Sequence, residues 1–200
     1  MEKSILFKDQ MVQAILEERK TQTRRIMKIQ PPAGRCRLYL AGHRLVRWIL
    51  VDDAGQFIDS SKQPVFAKPY EINDRLWVRE AWRPSAPPEP ATIYYRAGGF
   101  KDVLDHKDDL RVNGNDRPGV WRPSIYMPRW ASRIALDVIS VRAERLQRIN
   151  EADAISEGCS LFNPVADFAM LWDSINAKRG FGWDANPWVW VLEFKMVGDK

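Results

Sequence analysis

The sequence predicts a mixed α+β fold in which strands outnumber helices and the helices are short. Apolar and polar residues alternate within 70–82, where Leu76 and Val78 share a face, and over 132–146, where Ile134, Leu136, Val138 and Val141 do. Alternation of this period marks a half-buried strand, and residues 188–197 supply another. Helical spacing is confined to residues 9–18, 150–157 and the segment opened by Asn163-Pro164. Long helices do not follow each strand as a doubly wound sheet requires, so the strands are expected to form a β-barrel flanked by short helices.

In chain order, a strand at 4–7 leads into a helix over 9–18, whose Met11, Val12 and Ile15 recur on one buried face. The run 19–25 has no apolar face and is expected at the surface or around a pocket. Residues 31–70 read as a long insertion with one hairpin over 37–51, turning near Ala41-Gly42, and a later turn at 52–55. Asn73-Asp74 then turns the chain into the strand within 70–82. Four prolines in positions 84–90 predict a stiff connector to a strand at 92–96. Residues 97–118 are rich in Gly, Asp, Asn and Lys without periodicity, which predicts a mobile loop. Asn150 caps a short helix that Gly158 stops. Pro164 opens the last helix, with Phe168, Leu171, Trp172 and Ile175 on one stripe and Gly180 at its end. The whole, 1–200, is expected to be a single domain.

A chain of 200 residues, 45% hydrophobic and 28% charged, can bury a sizeable core and is not mostly disordered. No apolar run is long enough to span a bilayer, and the N-terminal stretch is too polar for a signal peptide, so a cytoplasmic protein with no membrane contact is expected. Cys36 and Cys159 lie far apart, and neither they nor His43 and His106 stand at metal-ligand spacings. Two free thiols are expected, with no metal, no cofactor and no histidine-based triad. The net charge is +5, and 20 of the 31 basic residues are arginine. A guanidinium contacts phosphate in bidentate fashion and stacks on bases, so a polyanionic partner is expected. A soluble enzyme that is merely basic is the alternative that charge alone leaves open.

The most informative segment is Glu18-Arg19-Lys20-Thr21-Gln22-Thr23-Arg24-Arg25. A lysine and a threonine three residues apart, after a helix and before two arginines, converge on one point if the segment turns. An ammonium desolvated beside two guanidinium groups gives up its proton more readily and could act as a base toward the Thr23 hydroxyl. A solvated basic loop touching phosphate is the plainer reading of the same residues.

This segment resembles the signature of the ASCH family, a branch of the PUA-like β-barrels: Gly-x-Lys-x-x-x-x-Arg after the first helix. Lys20 and Arg25 occupy the matching places, and Glu18 stands where the glycine is expected. Asn73-Asp74-Arg75-Leu76-Trp77-Val78 resembles the Gly-Asp-x-Leu-x-Val strand start of PUA-like barrels, again with the glycine replaced. Residues 186–194 resemble the closing strand of the family. The chain as a whole, 121–130 included, is similar to the long ASCH-containing proteins of bacteriophages and prophages. The resemblance covers roughly 1–30, 70–82 and 130–197 and leaves 31–70 unexplained.

The resemblance implies a PUA-like barrel. Small enzymes of the family hydrolyse the amide of 4-acetylcytidine with a lysine, a threonine and a glutamate. Lys20 and Thr23 match the first two by their place in the motif, and Glu157, at the end of the short helix, matches the third. Glu80, next to Trp77 and Trp82, is the competing carboxylate. In such chemistry Thr23 would be the nucleophile and Lys20 its base, Arg25 or a backbone N–H would stabilise the oxyanion, and Glu157 would hold Lys20 or shuttle its proton.

A second constellation interleaves aromatic residues with arginines: Trp77, Arg79, Trp82 and Arg83 in one region, Trp121, Arg122, Tyr126, Arg129 and Trp130 in another. Bases stack on indole faces and arginines hold phosphates, which suits single-stranded or flipped nucleotides. Arg24, Arg25, Arg79 and Arg129 are the candidates for phosphate or substrate contact, and Trp82 and Trp130 for exposed stacking platforms. Most of the nine tryptophans are expected in the core. Three functions remain open at this point. They are a hydrolase acting on an acylated nucleoside, a non-catalytic RNA or modified-base binder, and a metal-independent ribonuclease in which Lys20 and the arginines stabilise the phosphorane.

Overall fold

A computed structural model gives the fold and describes residues 2–31, 36–40, 44–58, 64–85, 91–102 and 119–197. Eleven strands and three α-helices appear among them: β1 (Glu2–Leu6), α1 (Asp9–Leu16), β2 (Gln22–Ile26), β3 (Cys36–Leu40), β4 (Leu45–Leu50), β5 (Val65–Ala67), β6 (Arg75–Arg79), β7 (Trp82–Pro84), β8 (Thr92–Tyr95), β9 (Phe100–Asp102), β10 (Ala135–Arg145), α2 (Glu151–Ser156), α3 (Pro164–Asn176) and β11 (Trp188–Val197). The fold is mixed α+β. In place of the closed barrel expected from the pattern of strands, the described strands make one five-stranded and two three-stranded sheets, none of them closed on itself. No described helix is long and apolar enough to cross a membrane.

The chain forms two compact units, each of which it enters more than once. Unit 1 is Met1–Thr21, Asn73–Asp137 and Phe194–Lys200; unit 2 is Gln22–Ile72 and Val138–Glu193. In unit 1, β1 runs parallel to β6 with Ile5 opposite Val78, and β6 runs antiparallel to the start of β10 with Leu76 opposite Leu136. The apolar alternation read from sequence decides the faces: Ile5, Leu76, Val78, Leu136 and the α1 residues Val12 and Ile15 are all buried. A second sheet, β7-β8-β9, is an antiparallel meander. Its inner residues Trp82, Ile93 and Tyr95 pack with Met127 and Ala131, and the Tyr95 hydroxyl donates to the Ala131 carbonyl at 2.7 Å.

In unit 2, β11 pairs antiparallel with β2, Leu192 lying opposite Thr23. Val189 and Val191 pack with Leu146 and Ile149, with Ala154 of α2, and with Phe168 and Trp172 of α3. Residues 31–70 belong to this unit and carry the β3-β4-β5 sheet. Its hairpin pairs Leu40 with Val46; the predicted turn at Ala41-Gly42 lies outside the described residues. Trp48 of β4 meets Trp188 edge-on at 4.8 Å and its indole N–H donates to the Ile29 carbonyl at 3.1 Å, so the insertion is packed into the core of unit 2.

Two local expectations change. Phe100–Asp102 at the start of the predicted loop is a strand, paired with β8, while 103–118 lie outside the described residues, as do 86–90 of the proline connector. On α3, Ile175 is 36% exposed and Asn176 takes its place on the buried stripe Pro164, Phe168, Trp172, Asn176. Four-residue steps select that stripe. Asn176 is tolerated there because its amide donates to the Trp172 carbonyl at 3.3 Å and its own carbonyl accepts from Phe181 N–H at 3.2 Å.

Three helix ends share one reversal. After α1, Arg19 N–H donates to Ala14 O and Glu18 N–H to Ile15 O; after α2, Cys159 N–H donates to Ala154 O and Gly158 N–H to Ile155 O. Phe181 and Gly180 repeat the pair of bonds beyond α3. This is the Schellman arrangement, which requires a left-handed residue at the hinge. Gly158 and Gly180 fill that place with φ of 90° and 80°, whereas Glu18 adopts 58°. Asn73, at the turn before β6, has φ 69°. The two positions where the ASCH and PUA-like patterns carry glycine are thus both left-handed. A side chain other than Gly or Asn is strained there by about 1–2 kcal/mol. Glu18→Gly should therefore stabilise the protein by about 0.5–1 kcal/mol after the greater freedom of glycine in the unfolded chain is subtracted. In thermal unfolding this is a rise of roughly 2 °C. Asn73→Gly should change the midpoint less, because asparagine tolerates this conformation; a fall on Glu18→Gly would refute the strain.

Candidate functional site

The run 19–25 was expected at the surface or around a pocket, but most of it is buried. Lys20, Gln22, Thr23 and Arg24 each expose under a tenth of their surface. In unit 1, the turn after α1 also captures the Lys20 N–H, which donates to Ala14 O at 2.9 Å. The Lys20 side chain, 2% exposed, lies with its ammonium 5.7 Å from the centre of the Phe7 ring, and Phe7 in turn packs against Phe194 at 6.2 Å. A desolvated cation over a ring gains about 2 kcal/mol.

In unit 2, β2 sorts its residues by strand alternation. Gln22, Arg24 and Ile26 point toward α2 and α3, where Ile26 joins the apolar cluster, so Thr23 and Arg25 leave by the opposite face. The Arg24 side chain has no solvent exposure. Its guanidinium donates to Glu144 at 2.7 Å, Asp153 at 2.8 Å, Glu157 at 3.2 Å and the Gln22 amide oxygen at 2.5 Å, and it sits 5.7 Å from the Phe168 ring. Arg142 adds bonds to Glu144 and Asp153 at 3.3 Å and to Glu193. Gln22 completes the net by donating to Asp153 and Glu193. Arg24 was a candidate for phosphate contact; within unit 2 its charge is answered by carboxylates.

Burial opposes ionisation of Asp153, but the Gln22 amide and the Arg24 and Arg142 guanidinium groups outweigh it and hold the carboxyl below its ordinary 3.8. Burial likewise opposes charge on Arg142, and the bond to Glu193 with the charges of Glu144 and Asp153 raises its pKa above the usual value. Glu157 closes α2 as its C-cap residue, where the helix dipole disfavours an anion. Arg24 compensates, and Asn150 caps the other end by accepting from Asp153 N–H at 2.8 Å. For Arg25, burial lowers the pKa from its ordinary value, with Tyr70 and Glu157 opposing the shift through their charge. Among the described residues no group of three or more His, Cys, Asp or Glu side chains is arranged to hold a metal ion, and Cys36 and Cys159 are free thiols.

The competing carboxylate, Glu80, belongs to unit 1 and is almost fully enclosed. Arg133 grips it in a fork, Nε to Oε1 and a terminal nitrogen to Oε2, both at 2.9 Å, while stacking 4.1 Å over Tyr95. Burial pushes the Glu80 carboxyl above its ordinary 4.5, and Arg133 limits the rise. The predicted nucleic-acid residues of this unit differ in exposure. Trp82 was expected to be an exposed platform, but it is 2% exposed because the pleat turns it into the β7-β8-β9 core. Trp130 is half-buried and meets it edge-on at 6.4 Å. Arg79 stacks 4.5 Å over Trp77 and donates to the Ile125 carbonyl, and Arg129 is exposed and pairs with Glu2 at 2.7 Å.

Sequence reasoning missed Gln22, Arg142, Glu144, Asp153 and Glu193. One signal was available: Arg142 and Glu144, two apart, put charge where the apolar alternation of β10 lapses before Leu146. No family model matches the chain, and no curated protein or solved structure matches it either.

Two substitutions test the ion pairs. Arg24→Met removes the buried cation shared by Glu144, Asp153 and Glu157 and should lower stability by about 3–5 kcal/mol near neutral pH in urea unfolding. The gap to the parent should shrink in acid. The depressed Asp153 carboxyl contributes stability present above 3.8 and lost as pH falls through its lower folded value, while the same group in the variant gains from protonation. A gap that stays constant as pH falls from neutral to well below 3.8 would mean that Arg24 holds no charges in place.

Arg133→Met should cost a similar amount, about 3–5 kcal/mol. Here the sign is reversed within one protein: the raised Glu80 carboxyl contributes stability that is present below 4.5 and lost as pH rises through its folded value. The variant should therefore weaken steeply with rising pH. Adding Glu80→Gln should restore most of the loss, and failure to do so would point to lost Tyr95 stacking instead.

Proposed function

We propose that the chain is an RNA- or nucleoside-directed protein of the ASCH type that hydrolyses the exocyclic amide of an acylated cytidine such as 4-acetylcytidine. One observation carries the reading: Lys20, Thr23 and Glu157, which the resemblance singles out for this chemistry, are all buried. Lysine and glutamate are among the residues least often enclosed, and buried ionisable side chains are concentrated at functional sites. The left-handed backbone at Glu18 and Asn73 adds support, since it is the conformation for which the family patterns carry glycine. The reading implies a PUA-like architecture.

In the proposed reaction the Thr23 oxygen adds to the acetamide carbonyl as its proton passes to the Lys20 amine. The C–N bond then breaks, the exocyclic nitrogen leaves with that proton, and water cleaves the acyl ester to give acetate and cytidine. Arg25 or a backbone N–H stabilises the oxyanion.

Purified protein should release acetate from 4-acetylcytidine. Thr23→Ala and the volume-matched Lys20→Met should each reduce the rate by about 100-fold or more while far-UV circular dichroism stays unchanged. Absence of acetate above background with the parent protein would remove the hydrolytic reading. A non-catalytic RNA binder is the second reading, favoured by the arginine–aromatic contacts of unit 1 outside the meander core, those of Arg79, Arg83 and Arg96. RNA binding that weakens steeply with salt, without acetate release, would select it.

A further inference from the structure

The outward face of the β7-β8-β9 sheet in unit 1 alternates arginines with aromatic rings. Arg83 and Tyr94 are register partners, and so are Tyr94 and Phe100, so one row crosses three strands. Trp82, Ile93 and Tyr95 fill the inner face, and alternation therefore turns Arg83, Tyr94 and Phe100 outward. The Arg83 guanidinium lies 4.2 Å from the centre of the Tyr94 ring and 5.7 Å from that of Trp121. Arg96, itself exposed, lies 5.0 Å from Trp121. Tyr94 and Phe100 are 6.4 Å apart and tilted by 50°. Phe100 is 65% exposed and Trp121 38%. The carboxylate on this face of the three strands is Asp102, which accepts from the Thr92 hydroxyl at 3.2 Å.

Among the described residues of this face, two arginines against one carboxylate, set among three kinds of aromatic ring, match a partner that presents phosphates and planar bases in alternation. An acidic peptide or a folded duplex would satisfy the guanidinium groups but leave the rings idle. Unstacked bases satisfy both, since every base has a face to lay on a ring and every linkage carries a charge. The stacked guanidinium groups also stiffen the rings before any ligand arrives, which lowers the ordering cost of binding.

We infer that this face binds single-stranded RNA, with bases stacking on Phe100 and Trp121 and phosphates held by Arg83 and Arg96. The inference deepens the RNA-directed reading and is independent of the hydrolytic one. It also moves the contact surface away from Trp82 and Trp130.

Fluorescence anisotropy with a labelled oligouridylate of about ten nucleotides tests it. Phe100→Ala and Trp121→Ala should each weaken binding by about tenfold without altering its salt dependence, and Trp121→Phe should retain most of the affinity. Arg96→Ala should weaken binding and reduce the slope of log affinity against log salt by about 0.7, the value for one phosphate on a single strand. A matched oligodeoxythymidylate reads whether the 2′-hydroxyl contributes, and heparin supplies charge without bases. Normal RNA binding by all the alanine variants would overturn this face and leave the RNA-directed reading standing. No RNA binding by the parent protein would overturn both, and heparin competing as well per charge as the oligonucleotide would overturn the stacking role.

Discussion

Unit 2 is organised around a guanidinium that solvent does not reach. Arg24 leaves β2 toward α2 and α3, and carboxylates from β10 and from both ends of the α2 segment converge on it. An isolated ion in that position would be prohibitive, and a half-satisfied network would be worse than an apolar one. The arrangement survives because each element contributes to it. Glu144 and Arg142 come from β10, Glu193 from β11, Gln22 from β2, and Asp153 and Glu157 from α2. Sliding β2 by one residue would exchange Arg24 for Thr23 and send the cation to the other face. The network therefore fixes the register of β2 as firmly as the valines of β11 do.

The same register has a chemical consequence for its neighbours. With Arg24 facing the helices, Thr23 and Arg25 are obliged to face the other way. Before β2, the direction of the chain is set by a left-handed residue, because the reversal after α1 demands it and Glu18 supplies it without the freedom of glycine. Backbone strain at Glu18 and charge burial at Lys20 and Arg24 thus fall within seven residues. Natural chains relieve such conflicts when they carry no task, so their concentration in one short segment is informative.

Much of the fold was legible because strands and helices announce themselves by period. Leu76 with Val78, and Leu136 with Val138, fell on buried faces, and Asn150, Gly158, Pro164 and Gly180 acted as cap, stop, start and stop. How the strands group into separate, open sheets was not legible, since that depends not on local pattern but on which distant strands pair. Residues 31–70 showed their hairpin but not the Trp48–Trp188 contact, which joins positions far apart in sequence. For the site, the motif directed attention to Lys20, Thr23 and Glu157, yet gave no hint that Arg24 lies wholly inside. A double arginine reads as two equal surface charges until strand alternation separates them.

The arginine–aromatic interleaving shows how one composition acquires two roles. Trp82 with Arg122 at 4.7 Å and Tyr95 with Arg133 at 4.1 Å belong to residues whose rings line the inner side of the meander. There the cation–π attraction acts in a desolvated setting and helps hold the sheet. At the next register pair of β7 and β8, Arg83 and Tyr94 form the same kind of pair on the outer side, where water screens it and the attraction is weaker. Weak stacking at a wet surface does little for the fold, but it keeps rings and charges aligned and accessible. The pleat alone decides which of the meander's aromatic rings face the core and which face outward, and that decision is invisible until the register of β7 against β8 is known.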